Sequence, residues 1–263
     1  MNIDLTGRVA LVTGAGRGIG EAIARTFAAV GAHTVLADRN VDSARKVAEE
    51  IGGTAVELDI AQESMVTDVI ARIEAQQGPI DILVNCAGVL QNTDPPERLS
   101  MSTWDRIVNV HQRGTYMMCA QVGLRMAGRR RGCIVNIASV AGMRSAPLHA
   151  YSPAKAAIIS MTECLAAEWG PSGVRVNAVS PGFVSTPGVE RGFESGMLDP
   201  KRMAASTALG RLVKPDEIAA GVLFLASDMA SAITGVTLAV DAGFLVATPW
   251  APYGRPGRAE VTG

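Results

Sequence analysis

A tyrosine and a lysine stand four residues apart in the stretch AYSPAKAAI, as Tyr151 and Lys155. Residues at positions i and i+4 lie on one face of a helix, so the sequence predicts that the phenol and the ammonium are neighbours. A free phenol has a pKa of about 10 and exchanges protons poorly at neutral pH, but a nearby cation stabilises the phenolate and lowers that pKa. The pair therefore predicts an acid or base at Tyr151. The alternative is a helix start beside a solvated lysine.

A glycine-rich turn, TGAGRGIG, follows the first apolar run and contains Gly14, Gly18 and Gly20. Glycines let the backbone approach a pyrophosphate closely, and the N-terminus of a helix supplies unpaired N–H groups. The spacing is GxxxGxG rather than GxGxxG, because Ile19 falls where the third glycine would be. Since an apolar strand precedes the turn and a helical pattern follows it, we interpret the turn as a dinucleotide-binding loop. A glycine-rich turn without a ligand is the alternative.

An acidic residue, Asp38, closes the second apolar run, 18 residues after Gly20. A carboxylate at this place accepts hydrogen bonds from the adenosine ribose hydroxyls and repels a 2′-phosphate, so it favours NAD over NADP. Arg17 and Arg39 lie close in sequence, and either of them facing a phosphate would weaken this preference. A plain turn residue at a strand end is the other interpretation of Asp38.

Short apolar runs alternate with amphipathic segments along the chain. Strands that are apolar on both faces and separated by helices predict a parallel sheet covered on both sides, and right-handed crossovers make it doubly wound. We therefore predict an α/β fold, a single Rossmann-like domain with helices on both faces. The predicted strands are 8–14, 33–38, 54–59, 81–86, 133–139, 174–180 and 236–241, and the predicted helices are 21–30, 41–51, 62–77, 101–126, 152–169 and 215–226.

Composition excludes several classes of function. The 263 residues are 48% hydrophobic. The chain has 24 basic and 25 acidic side chains, so its net charge of -1 gives no general attraction to nucleic acid. Cys86, Cys119, Cys133 and Cys164 form no CxxC pair and no metal-ligand pattern with histidine, so we expect buried free thiols and no metal site. Without signal-peptide features or an apolar run of about 18 residues, the sequence predicts a cytoplasmic protein without membrane contact.

Two segments lack a clean period. Residues 182–212 are interpreted as a lid over a pocket, within a domain that spans 1–246. Residues 247–263 form a Pro/Gly-rich tail in which Trp250 and Tyr253 stand between prolines. The tail is either disordered or packed across a subunit interface.

The chain as a whole resembles the short-chain dehydrogenase/reductase family. The resemblance runs from about Gly7 to Phe244 and rests on TGAGRGIG, VNCAG at 84–88, SVAG around Ser139, YSPAK, and NAVSPGFVST at 177–186. These motifs occur together, in order and at the family's spacing, and the combination is highly specific. The resemblance implies hydride transfer between a nicotinamide ring and a carbonyl or alcohol carbon of a small molecule.

The resemblance also implies roles for individual residues. Tyr151 would exchange the proton with the substrate oxygen, Ser139 would hold that oxygen by a hydrogen bond, and Lys155 would lower the pKa of Tyr151 and bind the ribose. The implied cofactor-binding residues are Gly14, Arg17, Gly18, Ile19, Gly20, Asp38, Arg39, Asp59, Ile60, Asn85, Ala87, Gly88, Tyr151, Lys155, Pro181, Gly182, Val184 and Thr186.

Two departures from the family pattern lie near these residues. The seventh residue after Trp104 is normally an asparagine that helps to kink a helix and to hold a water connected to the lysine, but here it is His111. His111 is therefore either a member of the catalytic proton relay or a core histidine without a catalytic part. The distance from Ser139 to Tyr151 is 12 residues, one fewer than is common, so a loop beside the substrate is expected to be short.

The leading hypothesis is an NAD-dependent dehydrogenase of a secondary alcohol, with a polyol, a sugar-like compound or a hydroxy acid as substrate. An NADPH-dependent 3-oxoacyl thioester reductase is the alternative within the family, and Asp38 argues against it. A dinucleotide-binding scaffold without turnover is the alternative of another class. The fold alone does not decide between enzyme and scaffold, but the set of Ser139, Tyr151 and Lys155 favours an enzyme.

Substrate contacts are expected from residues 89–97, 140–149 and 183–209, with Arg144, His149 and Arg191 as candidates for meeting an anionic or polyhydroxylated substrate. The family usually forms oligomers through the helices that here span 101–126 and 152–169, so we expect a homotetramer. The apolar residues assigned to that interface are Met117, Met118, Ile158 and Met161.

Overall fold

A single parallel sheet of seven strands organises the chain in the computed structural model, which describes residues 3–194, 196 and 198–253. The strand order is β3-β2-β1-β4-β5-β6-β7. Each predicted strand is present with ends that shift by at most two residues, so the predicted doubly wound sheet is confirmed. The strands are β1 (Val9–Thr13), β2 (His33–Asp38), β3 (Thr54–Glu57), β4 (Ile80–Asn85), β5 (Gly132–Ile137), β6 (Val174–Pro181) and β7 (Thr237–Val240).

Helices cover both faces of the sheet. They are α1 (Gly18–Ala29), α2 (Val41–Ile51), α3 (Glu63–Gln77), α4 (Met101–Val108), α5 (Thr115–Gly128), α6 (Tyr151–Trp169), α7 (Pro187–Glu194), α8 (Pro200–Ala205), α9 (Pro215–Ala226) and α10 (Phe244–Ala247). One core lies between the sheet and α1, α2 and α9, around Phe27 and Leu36. The other lies under α3, α5 and α6, around Ile70, Met118 and Trp169. All residues of β1 and β4 are buried, as expected for central strands covered on both sides.

The predicted helix over 101–126 is interrupted. Between α4 and α5, residues Asn109–Gly114 form one wider, π-helical turn. The apolar period predicts a regular helix here and does not reveal the extra residue in this turn. Such turns occur most often at functional sites, and this one contains His111.

The lid predicted over 182–212 contains two short helices, α7 and α8, which its irregular pattern did not predict. Its two ends are joined by a parallel bridge between Val184 and Val213. The N–H of Ser185 donates to the carbonyl of Val213 at 2.9 Å, and the N–H of Val213 donates to the carbonyl of Phe183 at 2.8 Å. The segment therefore leaves the sheet and returns to it at one place.

At the C-terminus, α10 crosses the expected domain boundary at residue 246 and is followed by a 3-10 turn over Thr248–Tyr253. The side chain of Trp250 is 62% exposed. The rest of the predicted tail, residues 254–263, lies outside the described residues.

Two expectations about burial need correction. Cys119 and Cys133 are buried free thiols, but Cys86 is only partly buried and Cys164 is exposed, because Cys164 lies on the outer face of α6. Met117, Met118 and Ile158, which we assigned to a subunit interface, pack inside the single chain and are at most 8% exposed. Among the residues described, no helix is long and apolar enough to cross a membrane.

Candidate active site

A cleft of about 640 Å³ opens at the carboxyl ends of the strands. It lies above β1 and β4, where the order of the strands reverses, which is the usual place for a ligand in an open α/β sheet. All the residues implied for the site line this cleft except Asn85. The structure therefore brings together residues that are spread from Gly14 to Thr186 in the sequence.

The glycine loop is shaped for close approach. Gly14 has a left-handed backbone with φ of +68°, and a Cβ atom there would lie 2.7 Å from the Cα of Ala87. A Cβ at Gly20 would overlap the carbonyl oxygen of Gly14. Arg17, at the N-cap of α1, makes no side-chain hydrogen bond to the first turn, so the leading N–H groups of α1 remain available to an anion. These features fit the pyrophosphate of a dinucleotide.

Asp38, at the end of β2, lines the cleft next to the glycine loop. One carboxylate oxygen accepts a hydrogen bond from the N–H of Gly16 at 3.0 Å, and the other accepts from the N–H of Asn40 at 2.9 Å. The carboxylate is thus fixed at the end of β2, where a ribose of the cofactor would lie. Arg17 and Arg39 also line the cleft and are exposed.

Asn85 is not part of the cleft. Its side-chain nitrogen donates to Asn136 at 2.9 Å and contacts the sulfur of Cys119 at 3.2 Å, inside the protein. Cys86 lines the cleft in its place, because successive side chains of an extended chain point in opposite directions. The family resemblance implied Asn85, and the alternation of β4 was the signal that would have indicated Cys86.

The phenol and the ammonium lie together as predicted. α6 begins at Tyr151, and Lys155 follows one turn later with its nitrogen 5.5 Å from the centroid of the tyrosine ring. The Lys155 ammonium donates to the carbonyl of Ile137 at 2.6 Å. Ser139, just after β5, hydrogen-bonds to the Tyr151 side chain, while its hydroxyl oxygen also accepts from the N–H of Ala141 at 3.1 Å.

The pKa of Tyr151 does not follow the expectation. Burial raises it to about 12, and the hydrogen bond with Ser139 opposes that rise only in part. Burial also lowers the pKa of Lys155 to about 8. Lys155 is not among the causes of this shift, so the lowering of the tyrosine pKa by its ammonium stays a prediction.

His111 is buried, and its ring meets the Tyr151 ring edge-on with 5.0 Å between centroids. Nε2 lies 2.8 Å from the carbonyl oxygen and 3.1 Å from the nitrogen of Val89. One ring nitrogen serves only one of these partners at a time, and the shorter contact favours a proton on Nε2. Nδ1 then has a free lone pair and no hydrogen-bond partner among the described residues. Burial, with Lys155 nearby, lowers the pKa of His111 to about 3, so the ring is neutral at ordinary pH.

A neutral His111 predicts a pH profile without a histidine ionisation. We expect turnover of wild type and of His111→Asn to depend on pH in the same way between pH 5 and 8, because neither side chain changes charge there. The measurement is kcat against pH, with His33→Asn as the control, since His33 contacts Thr54 outside the cleft. An inflection near pH 6 that only His111→Asn removes would show a charged, catalytic His111.

The substrate end of the cleft is lined by Val89, Leu90, Val189 and Arg191, all within the segments predicted for substrate contacts. Arg144 and His149, also proposed for a charged substrate, do not line it. Arg106 and Val110 line the cleft and were missed. They lie four residues apart just before His111, and this helical spacing could have indicated them.

A family model described as enoyl-(acyl carrier protein) reductase matches residues 14–245. D-threitol dehydrogenase of Mycolicibacterium smegmatis is 40% identical over 248 residues, which cover 92% of this chain and 94% of that protein. This chain belongs to the short-chain dehydrogenase/reductase family.

Two further proteins are similar to this chain over nearly its whole length. The NAD-dependent glycerol dehydrogenase of Listeria innocua is 38% identical over 93% of this chain and 96% of its own length. A crystal structure from Brucella melitensis, named ribose-5-phosphate isomerase, is 54% identical with a TM-score of 0.94 and covers 96% of this chain and 98% of that one. The protein is therefore an oxidoreductase that transfers a hydride between a nicotinamide dinucleotide and a secondary alcohol or its ketone.

Proposed function

We propose that this protein is an NAD-dependent dehydrogenase that oxidises a secondary hydroxyl group of a polyol or a related sugar-like compound. The observation that carries the proposal is the joining of Ser139, Tyr151 and Lys155 at one end of a cleft whose other end carries Asp38. The threitol and glycerol dehydrogenases among its relatives support the substrate class.

The residues of this chain divide the work of the reaction. The glycine loop and the N-terminus of α1 would hold the pyrophosphate, Asp38 the adenosine ribose, and Lys155 the nicotinamide ribose. A bound dinucleotide supplies the acceptor or donor of the hydride. Ser139 orients the substrate oxygen by a hydrogen bond, and Tyr151 accepts its proton on oxidation or returns it on reduction.

The pKa of Tyr151 bears on the direction of the reaction. With a pKa of about 12, the phenol is protonated at neutral pH, which is the state required for ketone reduction. Alcohol oxidation requires the phenolate, so oxidation should accelerate as pH rises while reduction loses rate. These opposite trends are expected of one titrating group that serves both directions.

Asp38 is the basis for proposing NAD rather than NADP, since its carboxylate would repel a 2′-phosphate. We expect Asp38→Ser to lower the ratio of the NADP to the NAD dissociation constant by at least about tenfold, because a like-charge contact is removed. Asp68→Ser, on the exposed face of α3, is the control. Fluorescence titrations with both reduced dinucleotides at one salt concentration measure the ratio, and tighter NADP binding by wild type would overturn the proposal.

An NADPH-dependent 3-oxoacyl thioester reductase remains the alternative, because a 3-oxoacyl-(acyl carrier protein) reductase from Thermotoga maritima is 36% identical to this chain. A scaffold without turnover gives no role to a serine, a tyrosine and a lysine that meet in a cleft. Isomerisation of ribose 5-phosphate, the reaction in the name of the Brucella melitensis structure, involves no net oxidation or reduction, so it needs no dinucleotide that exchanges with solution.

Turnover tests the proposed function directly. Purified protein is incubated with NAD or NADP and a panel of polyols, sugars, hydroxy acids and cyclic alcohols, and absorbance reports the reduced dinucleotide. Acetoacetyl thioesters with NADPH test the alternative. We expect NAD reduction with a polyol, and exclusive activity on the thioester would overturn the proposal.

The expected homotetramer is proposed on a new basis. Tyr116 and Leu124 lie eight residues apart on the exposed face of α5 and are 53% and 64% exposed, so they suit a helix-pairing interface better than the buried Met117, Met118 and Ile158.

A cytoplasmic location is proposed because the cysteines are free thiols, which are typical of a reducing compartment. The lid over 182–212 and the packing of the tail across an interface remain proposals.

A further inference from the structure

The start of α6, where Tyr151 lies, is capped by a side chain from outside the helix. Ala150 precedes the first helical residue and has no side chain that accepts a hydrogen bond. Gln91, in the loop after β4, supplies the acceptor instead. Its Oε1 atom accepts from the N–H of Ala150 at 3.1 Å and from the N–H of Tyr151 at 2.8 Å.

The other N–H groups of this first turn need no side-chain acceptor, because backbone carbonyls accept their hydrogen bonds. The N–H of Ser152 donates to the carbonyl of Leu148 at 2.8 Å, Pro153 has no N–H, and that of Ala154 donates to the carbonyl of Ala150 at 3.2 Å. Ala150 is fully buried, so no water would replace the missing acceptor at its N–H. Loss of Gln91 would leave buried donors unpaired at the residue that carries the catalytic phenol.

The orientation of the Gln91 amide shows that these two bonds determine its position. Two N–H groups point at one atom, so that atom is the oxygen. The Nε2 atom is buried and has no hydrogen-bond partner among the residues that the structure describes. The side chain keeps this orientation although both N–H donors of its NH₂ group are unpaired, which costs free energy. Capping α6 is therefore the interaction that holds the amide.

The loop that carries Gln91 also contacts other parts of the site. Val89 hydrogen-bonds to His111, and Val89 and Leu90 line the substrate end of the cleft. The same three residues thus contact the π-helical turn, the substrate space and the backbone of Tyr151. A change in this loop is passed to the phenol through two hydrogen bonds.

We propose that Gln91 is a positioning residue for the proton transfer, which fixes the backbone of Tyr151 and so the place of its phenolic oxygen relative to Ser139. This inference rests on the proposed function. A misplacement of about 1 Å at a reacting group costs about 100-fold in rate, so even a small relaxation of the helix start would be visible in turnover.

Two substitutions separate positioning from stability. Gln91→Met keeps the length of the side chain but removes the acceptor. Gln91→Glu keeps an acceptor and adds a negative charge near Tyr151, where Lys155, His111 and Cys86 are the other titratable groups. Negative charge disfavours the phenolate and raises the pKa of Tyr151, so alcohol oxidation by Gln91→Glu should require a higher pH. Gln112→Met, at an exposed glutamine, is the matched control.

The experiment measures kcat, KM, NADH affinity and the pH profile with a polyol that wild type oxidises. We expect Gln91→Met to lower kcat about 10- to 100-fold with unchanged NADH affinity. Gln91→Glu should reach most of the wild-type turnover only at a higher pH, because the rising limb of its profile moves, and Gln112→Met should match wild type. A normal kcat in Gln91→Met with only a lower melting temperature, or an unshifted profile in Gln91→Glu, overturns the proposal.

A second readout needs no substrate. Phenolate absorbance reports tyrosine ionisation, the chain has three tyrosines, and subtraction of the Tyr151→Phe curve isolates Tyr151. The pKa of Tyr151 should rise in Gln91→Glu, and an unchanged value overturns the proposal even if Gln91→Met does not fold. If wild type oxidises no alcohol in the panel, the proposed function fails, whereas this titration still decides the role of Gln91.

Discussion

Replacing Tyr151 by phenylalanine should abolish turnover while NAD still binds. The phenolic oxygen carries the proton, and positioned acids and bases contribute about 10²- to 10⁴-fold to rates, so we expect a loss near the upper end of that range. The ring itself remains, and its edge-on contact with His111 at 5.0 Å should keep the local packing. Steady-state rates and an NADH titration provide the measurement.

Tyr116→Phe is the control for this substitution, because Tyr116 is exposed on α5 and should change neither quantity. Residual activity of more than a few per cent in Tyr151→Phe would mean that another group carries the proton. His111 is a poor candidate, because a pKa of about 3 means that its neutral ring is a weak base and stays unprotonated by the substrate at neutral pH.

Replacing Lys155 by methionine should lower activity and raise stability together. Lys155 is 4% exposed, and burial lowers its pKa from 10.5 to about 8, so the folded protein disfavours its charge by on the order of 3 kcal/mol at neutral pH. Methionine removes that penalty and loses one charge-assisted hydrogen bond to Ile137, which is worth about 1.5 to 3 kcal/mol, so the net gain in stability should be small. Turnover and dinucleotide binding should fall, because the ammonium is assigned to both.

The stability gain should depend on pH in a defined direction. Between about pH 8 and 10.5 the unfolded chain holds the lysine proton and the folded chain does not, so wild-type stability rises with pH in this window. The advantage of Lys155→Met is therefore full below pH 8 and disappears by pH 10.5. Melting curves across this range test it, with Lys46→Met at an exposed site as the control. A melting temperature that falls at pH 7 would contradict the argument.

Much of the fold could be predicted because its signals are local. Runs such as the one that became β1 are apolar on both faces, and glycines or prolines mark the helix ends, as Gly52 does after α2 in a left-handed conformation. The π-helical turn at Asn109–Gly114 could not be predicted in this way. One inserted residue changes the apolar period too little to be detected, although it decides where His111 points.

In the site, too, the sequence identifies the residues but does not predict the properties that depend on their surroundings in the fold. Tyr151, Lys155 and the glycine loop were identified from type and spacing, and Ser139 from the family resemblance. All of them line the cleft. The raised pKa of Tyr151 was not foreseen, because desolvation depends on the surrounding fold and not on the neighbour four residues away. The role of Gln91 was also missed, since its partners are 59 and 60 residues away in sequence.

The bridge between Val184 and Val213 has a consequence for the evolution of substrate range. Because the sheet already holds the two ends of this segment together, its interior can change in length at little cost, about 0.6 kcal/mol for each doubling of a flexible loop. Natural selection, or a protein engineer, can therefore exchange residues 187–212 as a unit while Thr186, the rest of the dinucleotide-binding residues and the proton-transferring residues stay where they are. One fold can therefore acquire specificity for many alcohols through changes in this segment, while the sheet and its core stay the same.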